Sequence, residues 1–414
     1  MTLHKIIVLL AVLAGLSIAA DATEPTPAGK AIISAYEFQH PSVIFAENRR
    51  YMVSLPERYL MNQRKYPSLF VIDADFQFQH VAAVVKNLSR MGKIPPMIVF
   101  GIANQGDDDY LKTTTWSDGK DDAFGDAKKL HAYLSQELLP LIDQHYRTNS
   151  QKALAGYSLG GLFTLYSMMQ HDTPFNAFLA MSPSAWFDHN SLAKKLTPLL
   201  KANKLTAPVF ISLANEEGMG VDEVIKTFES SAAKSLNWQY LHYPEENHFT
   251  TALPALYDAL QFLAPNYALD GTDMLALGDY QQVLAHFKAQ KKQWAGFQFE
   301  WLQGYQFAKY IFWSKQTEQV DEVLNAVATE FPESLTMVTI QLANGFNKKS
   351  HHAKALQLLN RVKTQGEHFP GWHKQMSVYY IAVDKPLLAQ HHQALALKLA
   401  KQYQFDSWEV WELM

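Results

Sequence analysis

Five short apolar runs constrain this chain more than anything else in it. "SLFVID" (68–73), "MIVFGIA" (97–103), "KALAG" (152–156), "FNAFLAMSP" (175–183) and "PVFISLAN" (208–215) are too short for buried helices. A strand that is apolar on both sides of its pleat has both faces covered, as in a parallel sheet between two helical layers. Helical patterns separate the runs. They are "LHAYLSQELLPLIDQHY" (130–146), interrupted by Pro140, then "LGGLFTLYSMMQ" (159–170), "VDEVIKTFESSAAKS" (221–235) and "ALPALYDALQFLAP" (252–265). "RRYMVSLP" (49–56) and "WQYLHYP" (238–244) read as further strands. Strand and helix in alternation predict an open, mostly parallel α/β sheet with helices on both faces.

The pattern changes after Pro265. Val320, Val323, Leu324, Val327, Ala328 and Phe331 form a helical stripe, and Ala355, Leu358, Leu359 and Val362 form another. "FP" recurs at 331–332 and 369–370, a spacing close to the ~34-residue period of tetratricopeptide-type helix pairs. Residues 266–414 are therefore expected to be an all-helical, tetratricopeptide-like domain or an irregular bundle. Packing, dimerisation or binding of a partner protein are its expected tasks.

The first 22 residues read as a segment apart. Lys5 precedes an apolar run from Ile6 to Ala19, and Ala20-Asp21-Ala22 follows, the order of an export signal. The run falls short of the ~20 apolar residues that a membrane span needs. The expected division is a signal at 1–22, a catalytic α/β domain at 23–265 and a helical domain at 266–414. The expected location is periplasmic or secreted, with no membrane span once the signal is removed. A net charge of −4 offers no basic footprint for nucleic acid. The absence of cysteine excludes disulfides, thiolate metal sites and a thiol nucleophile. No metal or cofactor is expected.

One motif carries chemistry. Gly156-Tyr157-Ser158-Leu159-Gly160 is G-x-S-x-G between a predicted strand and a predicted helix, the context of a nucleophile elbow. The corner is expected to be tight enough that side chains at both glycine positions would collide. The bare pattern should arise about 0.1 times by chance in a chain of this size, if Gly and Ser each run near ~7%. A serine hydroxyl needs a base and an orienting acid, which in such folds follow the serine in chain order. His248, in the loop "YPEENHFTT" (243–251), is the expected base. His171, His189, His242 and the helical pairs at 351–352 and 391–392 fit less well. The acid is Glu216 or Glu217, at the end of "PVFISLANEEG", and the sequence does not separate them. Glu245 and Glu246 read as surface charge, and Asp188 is an outsider. Two backbone N–H groups must hold an oxyanion. Leu159 is expected to supply one, and the Ala74–Asp75 turn, Asp75 first, the other. The Asp75 side chain is expected to be incidental.

Several blocks together carry a resemblance. "NRRYMVSLPERY", "YPSLFVIDADFQF", "PMIVFGIAN", "LLPLIDQHYRT", "ALAGYSLGGLF", "FNAFLAMSPSAWF" and "NHF" resemble the esterase D-like family of the α/β-hydrolase fold, over about residues 40–265. They are most similar to its exported branch, which includes periplasmic siderophore (trilactone) esterases. The resemblance implies a serine esterase with Ser158 as nucleophile, His248 as base and an acid at the Glu216/Glu217 position. It places "SPSAWFD" near the pocket, with Trp186, beside Tyr157, as an expected lining residue. Members that handle catecholate siderophores tend to carry an arginine after the "GIAN"-like strand. Here "QGDDDYLKTTTW" is acidic and holds only Lys112, which favours a neutral or cationic small-molecule ester. A siderophore trilactone esterase, an acyltransferase with the same triad, and a non-catalytic binding protein are the alternatives.

Overall fold

The structure, a computed structural model, describes residues 32–117, 119, 121–267 and 269–414. The expected signal at 1–22 lies outside the described residues. Eight strands form one sheet: β1 (Tyr36–Ser42), β2 (Glu47–Ser54), β3 (Tyr66–Ile72), β4 (Ile98–Ile102), β5 (Thr148–Tyr157), β6 (Ala177–Met181), β7 (Val209–Ala214) and β8 (Trp238–Tyr243). Their spatial order is β1-β2-β4-β3-β5-β6-β7-β8. The β1–β2 and β2–β4 pairs are antiparallel, and every other pair is parallel. The apolar runs explain this order. Every residue of β3, β4, β6 and β7 is buried, as strands covered on both faces must be. β1 is largely exposed and carries Pro41, which suits an edge strand because proline donates nothing to a ladder.

Alternation along each strand divides the core between two layers. Leu69 and Val71 of β3 join Val99, Ala155, Leu179 and Phe210 on one face. Phe70 and Ile72 join Phe100, Leu154, Phe178 and Ile211 on the other. Connecting helices cover both: α1 (Ala74–Arg90), α2 (Asp107–Thr114), α3 (Ala127–Tyr133), α4 (Leu139–His145), α5 (Leu159–Met168), α6 (Phe187–Lys201), α7 (Val221–Ser231) and α8 (Ala252–Leu263). The interruption expected at Pro140 is absorbed without a break. A π-helical turn at Leu134–Leu138 joins α3 to α4, and Pro140 is the second residue of α4, directly after that wider turn.

Among the described residues ten α-helices follow: α9 (Gly271–Leu277), α10 (Tyr280–Gln293), α11 (Trp301–Trp313), α12 (Val320–Glu330), α13 (Leu335–Lys348), α14 (His352–Arg361), α15 (Lys363–Gly366), α16 (Pro370–Ala382), α17 (Pro386–Gln402) and α18 (Ser407–Leu413). Asp270 and Asp279 cap α9 and α10 with capping boxes. Both Phe-Pro steps stand at helix starts, Pro332 in the turn before α13 and Pro370 in the first turn of α16. The core beneath α1 and α8 runs on through Tyr267, Met274 and Phe287 into this region. Charged contacts fasten α18: Arg58 pairs with Glu409 at 2.7 Å, and Arg90 pairs with Asp406 at 2.9 Å while lying over the Trp408 ring. Glu409 is buried, so its pair with Arg58 is screened less than a surface ion pair would be. Among the described residues no helix is long and apolar enough to cross a membrane.

Candidate active site

Strand β5 turns sharply into α5 at Ser158, whose φ of 58° and ψ of −122° lie outside the ordinary regions for an L-residue. A few close contacts explain the turn. A Cβ on Gly156 would lie 2.0 Å from the Gly160 carbonyl oxygen, so only glycine fits there. The second glycine, expected to be equally obligatory, is not. A Cβ on Gly160 would meet side chains and no backbone outside its own helix, Ile72 at 3.3 Å and Tyr110 Oη at 3.7 Å. Gly161 is the tighter neighbour: a Cβ there would stand 3.1–3.2 Å from backbone atoms of Pro183, Gly156 and Met181. Gly156→Ala is therefore expected to cost at least ~3 kcal/mol, the upper end of overpacking, and Gly160→Ala less than ~1 kcal/mol. Thermal unfolding of the two variants checks this.

The strand order assembles the rest. β6, β7 and β8 follow β5 in space, so the segments after them share one sheet edge with Ser158. His248, five residues past β8, reaches back across that edge. Its Nε2 lies 3.0 Å from Ser158 Oγ, and its Nδ1 lies 2.5 Å from Glu216 Oε2. Of the two candidate acids, Glu216 is the one brought to His248. Its side chain is 8% exposed, while Glu217 faces solvent. A donor bond from the Asn215 N–H to the Glu246 carbonyl ties the Glu216 and His248 loops together. Tyr157, expected in the pocket wall, engages His248. Its hydroxyl donates to the His248 carbonyl and its ring packs 4.9 Å from the imidazole. Asp188 accepts from Trp116 Nε1 and Ser191 Oγ and does not contact His248.

Two neighbours of the serine are not evident in the sequence pattern. Ser184, after β6, is buried, with its Oγ 3.2 Å from Ser158 Oγ, and its N–H donates to the Ser158 carbonyl. Tyr110 of α2 accepts from the Gly160 N–H at 2.9 Å and donates to the Tyr157 carbonyl. Burial, with Asp73 nearby, raises the Tyr110 phenol well above its ordinary range, against the lowering effect of the hydrogen bond from the Gly160 N–H. For Ser184, only its position directly after an apolar run points to the sheet edge.

Beside β5, strand β3 delivers Asp73, Ala74 and Asp75 to the same edge, with Asp75 in the first turn of α1. The Asp75 side chain is not incidental, contrary to expectation. It accepts from Arg50 at 2.6 Å and from the Asn104 N–H at 3.2 Å, so it fastens β2 and the segment after β4 to α1. Asp73 is buried and accepts from the Asn104 side chain at 2.8 Å. Burial raises its pKa to about 6, and Asp75 and Asp107 add to the rise. A carboxyl whose folded pKa lies above its unfolded value stabilises the fold below the unfolded value, and that stability is lost as pH rises through 6. Asp73→Asn, which removes the charge and keeps an acceptor for Asn104, is expected to gain about 2–3 kcal/mol at pH 7.5 and little at pH 4. Urea unfolding at both pH values measures it.

Exposed aromatic rings surround this edge. Phe76 follows Asp75, Trp186 lies two residues past Ser184 and is 44% exposed, and Phe249 follows His248 and is 91% exposed. Among the described residues no group of three or more His, Cys, Asp or Glu side chains could hold a metal ion.

Comparison with known proteins places this arrangement. The family model described as "Putative esterase" matches residues 42–248, half of the chain, from the end of β1 to His248. The chain is 27% identical over 173 residues to the ferri-bacillibactin esterase BesA of Bacillus subtilis, covering 37% of this chain and 60% of that protein. An IroE-like serine hydrolase from Shewanella oneidensis superposes with a TM-score of 0.59 at 25% identity, over 70% of this chain and 97% of that one. An uncharacterised protein from Capnocytophaga ochracea shares the fold at 16% identity with a TM-score of 0.59, over 79% and 93% of the two chains. The chain thus belongs to this esterase family: it is a carboxylic ester hydrolase built on a mostly parallel α/β-hydrolase sheet with a helical C-terminal region.

Proposed function

We propose that the protein is a serine esterase that cleaves a neutral or cationic carboxylic ester through Ser158, His248 and Glu216. The observation that carries the reading is the hydrogen-bonded series from Ser158 Oγ through the imidazole to Glu216. A carboxylate on Nδ1 selects the tautomer with the proton there, which leaves Nε2 bare to accept from the serine. Ser158 therefore spends its one proton on His248, and the 3.2 Å contact to Ser184 Oγ is completed by the Ser184 proton.

The reaction follows from these assignments. Ser158 Oγ attacks the ester carbonyl carbon while its proton passes to His248 Nε2. The carbonyl π electrons move to oxygen, and the tetrahedral intermediate collapses when His248 returns the proton to the leaving alcohol. Water then repeats the cycle on the acyl-enzyme. Leu159 and Asp75 are the oxyanion donors in this reading. Both lie in first helical turns, whose N–H groups have no intrahelical acceptor, at the ends of adjacent strands. Ser184 donates to the nucleophile oxygen and helps hold it beside the imidazole, so Ser184→Ala is expected to lower kcat about tenfold with little change in KM, the size of one hydrogen bond.

The preference for an uncharged or cationic ester rests on acidity near the edge. Asp107 and Asp108 are exposed on α2, and Arg49 and Arg50 are held by Asp109 and by Glu37 and Asp75. The likeness to BesA favours a second reading, a siderophore trilactone as substrate. The same proposal takes 1–22 as an export signal, 23–265 as the catalytic domain and 266–414 as a helical, tetratricopeptide-like domain. Hydrolysis of acetyl through octanoyl p-nitrophenyl esters, acetylcholine-type esters and a catecholate trilactone tests it. Turnover of neutral or cationic esters above the trianionic trilactone is expected, and the reverse order selects the second reading. Products analysed with added methanol separate hydrolysis from acyl transfer.

A further inference from the structure

A second concave site lies far along the chain from Ser158. Helices α14, α16 and α17, with α15, enclose a cleft of about 620 Å³, within the ~300–1,000 Å³ typical of small-ligand sites. Its floor is apolar, formed by Trp372, Met376, Leu395 and Leu399. Lys363, Lys398 and Glu367 stand on its rim. Lys363 and Glu367 pair loosely at 3.9 Å, whereas Lys398 has no carboxylate within ion-pair distance among the described residues. The rim therefore carries one net positive charge over an apolar floor.

The histidines in the wall have defined roles. His373 Nε2 lies 3.0 Å from the Glu367 carbonyl, which can only accept, so the His373 proton is on Nε2. His373 Nδ1 is then bare, and it accepts from His392 Nδ1, 2.9 Å away. Burial, with His373 and His391 nearby, lowers His392 to about 4, so near neutral pH the ring carries one proton, already placed on Nδ1. No hydrogen bond to its Nε2 is found among the described residues, and the ring lines the cleft. Tyr380 stacks on the imidazole at 5.4 Å and fixes its plane. The cleft thus offers one lysine without an ion-pair partner, one fixed imidazole acceptor and an apolar floor with an aromatic ring, beside the polar Asn360, His391 and Gln402.

We propose that this cleft binds a monoanionic carboxylic acid that carries a large apolar group and an N–H donor. That is the chemistry of an N-acylated apolar amino acid or of the free C-terminal residue of a peptide. The carboxylate pairs with Lys398, the N–H donates to His392 Nε2, and the apolar group lies on Trp372 and Met376. The site is independent of the ester-cleaving reaction.

Titration calorimetry of the full chain with N-acetyl-L-phenylalanine tests it. A tetraglycyl-phenylalanine peptide forms a second arm, and N-acetyl-L-phenylalanine amide and N-acetylglycine serve as controls. Saturable binding of the acid is expected, with the amide and the glycine analogue each at least about tenfold weaker. A peptide that binds more tightly than the free acid identifies a chain terminus as the source, and equal affinities identify a free acid. Lys398→Glu on the exposed rim and Leu395→Trp, which fills the cleft, are each expected to weaken binding at least tenfold with ester hydrolysis unchanged. No saturation by either acid up to about 10 mM, or equal binding of acid and amide, overturns the proposal.

Discussion

Ser158→Ala is expected to lower kcat for ester hydrolysis by about 10⁶-fold, the scale on which loss of a serine nucleophile removes a concerted triad. The fold should survive. The unusual backbone at position 158 is imposed by Gly156 and by the N–H bond from Ser158 to the Met181 carbonyl, neither of which needs the hydroxyl. Ser184 cannot substitute. Its Oγ lies beside Ser158, but it is Ser158 Oγ that His248 Nε2 reaches. Steady-state rates on the preferred p-nitrophenyl ester, beside a thermal unfolding curve, separate chemistry from folding. A variant that folds and retains more than about a hundredth of wild-type kcat would assign the chemistry to another group.

Glu216→Gln is expected to lower kcat by about 10³–10⁴-fold, while Glu217→Gln changes it by less than about twofold. The two residues are adjacent in sequence and differ in everything that matters to the imidazole. Glu216 is nearly buried at 2.5 Å from His248 Nδ1, and Glu217 is exposed. A carboxylate there holds the Nδ1–H tautomer and stabilises the imidazolium that forms as the serine proton is taken. A glutamine amide fits the same space. It has no charge, and it can turn its NH₂ toward Nδ1 and select the wrong tautomer. Equal effects from both substitutions would remove Glu216 from the proposed triad.

These residues differ in how legible they are in the sequence. The apolar runs mark every parallel strand of the sheet's centre, because burial on both faces leaves no room for polar alternation. The elbow is readable because a strand, a glycine bracket and a helix are all local features. His248 is readable because it alone of the histidines occupies a loop between a late strand and its helix. The choice between Glu216 and Glu217 is not, since it depends on a turn just past β7 in which the Glu216 N–H closes on the Ala214 carbonyl. That turn sets which carboxylate faces inward, and nothing in the side-chain pattern encodes it. Ser184 and Tyr110 depend on strand order and on the docking of α2, which bring together residues 26 and 50 positions from their partners. The second glycine of the motif looks as obligatory as the first, yet the clash it is expected to avoid exists only at Gly156. Edge strand β1, with its polar pattern and proline, offers no apolar signal to read.

One serine, activated by one imidazole, is proposed to do the chemistry. Labelling with a fluorophosphonate, followed by peptide mapping of the adduct, addresses this directly. A single adduct on Ser158 is predicted, with its rate of formation falling at least about a thousandfold in His248→Ala. An adduct on any other residue, or an unlabelled protein that still cleaves esters, would contradict it.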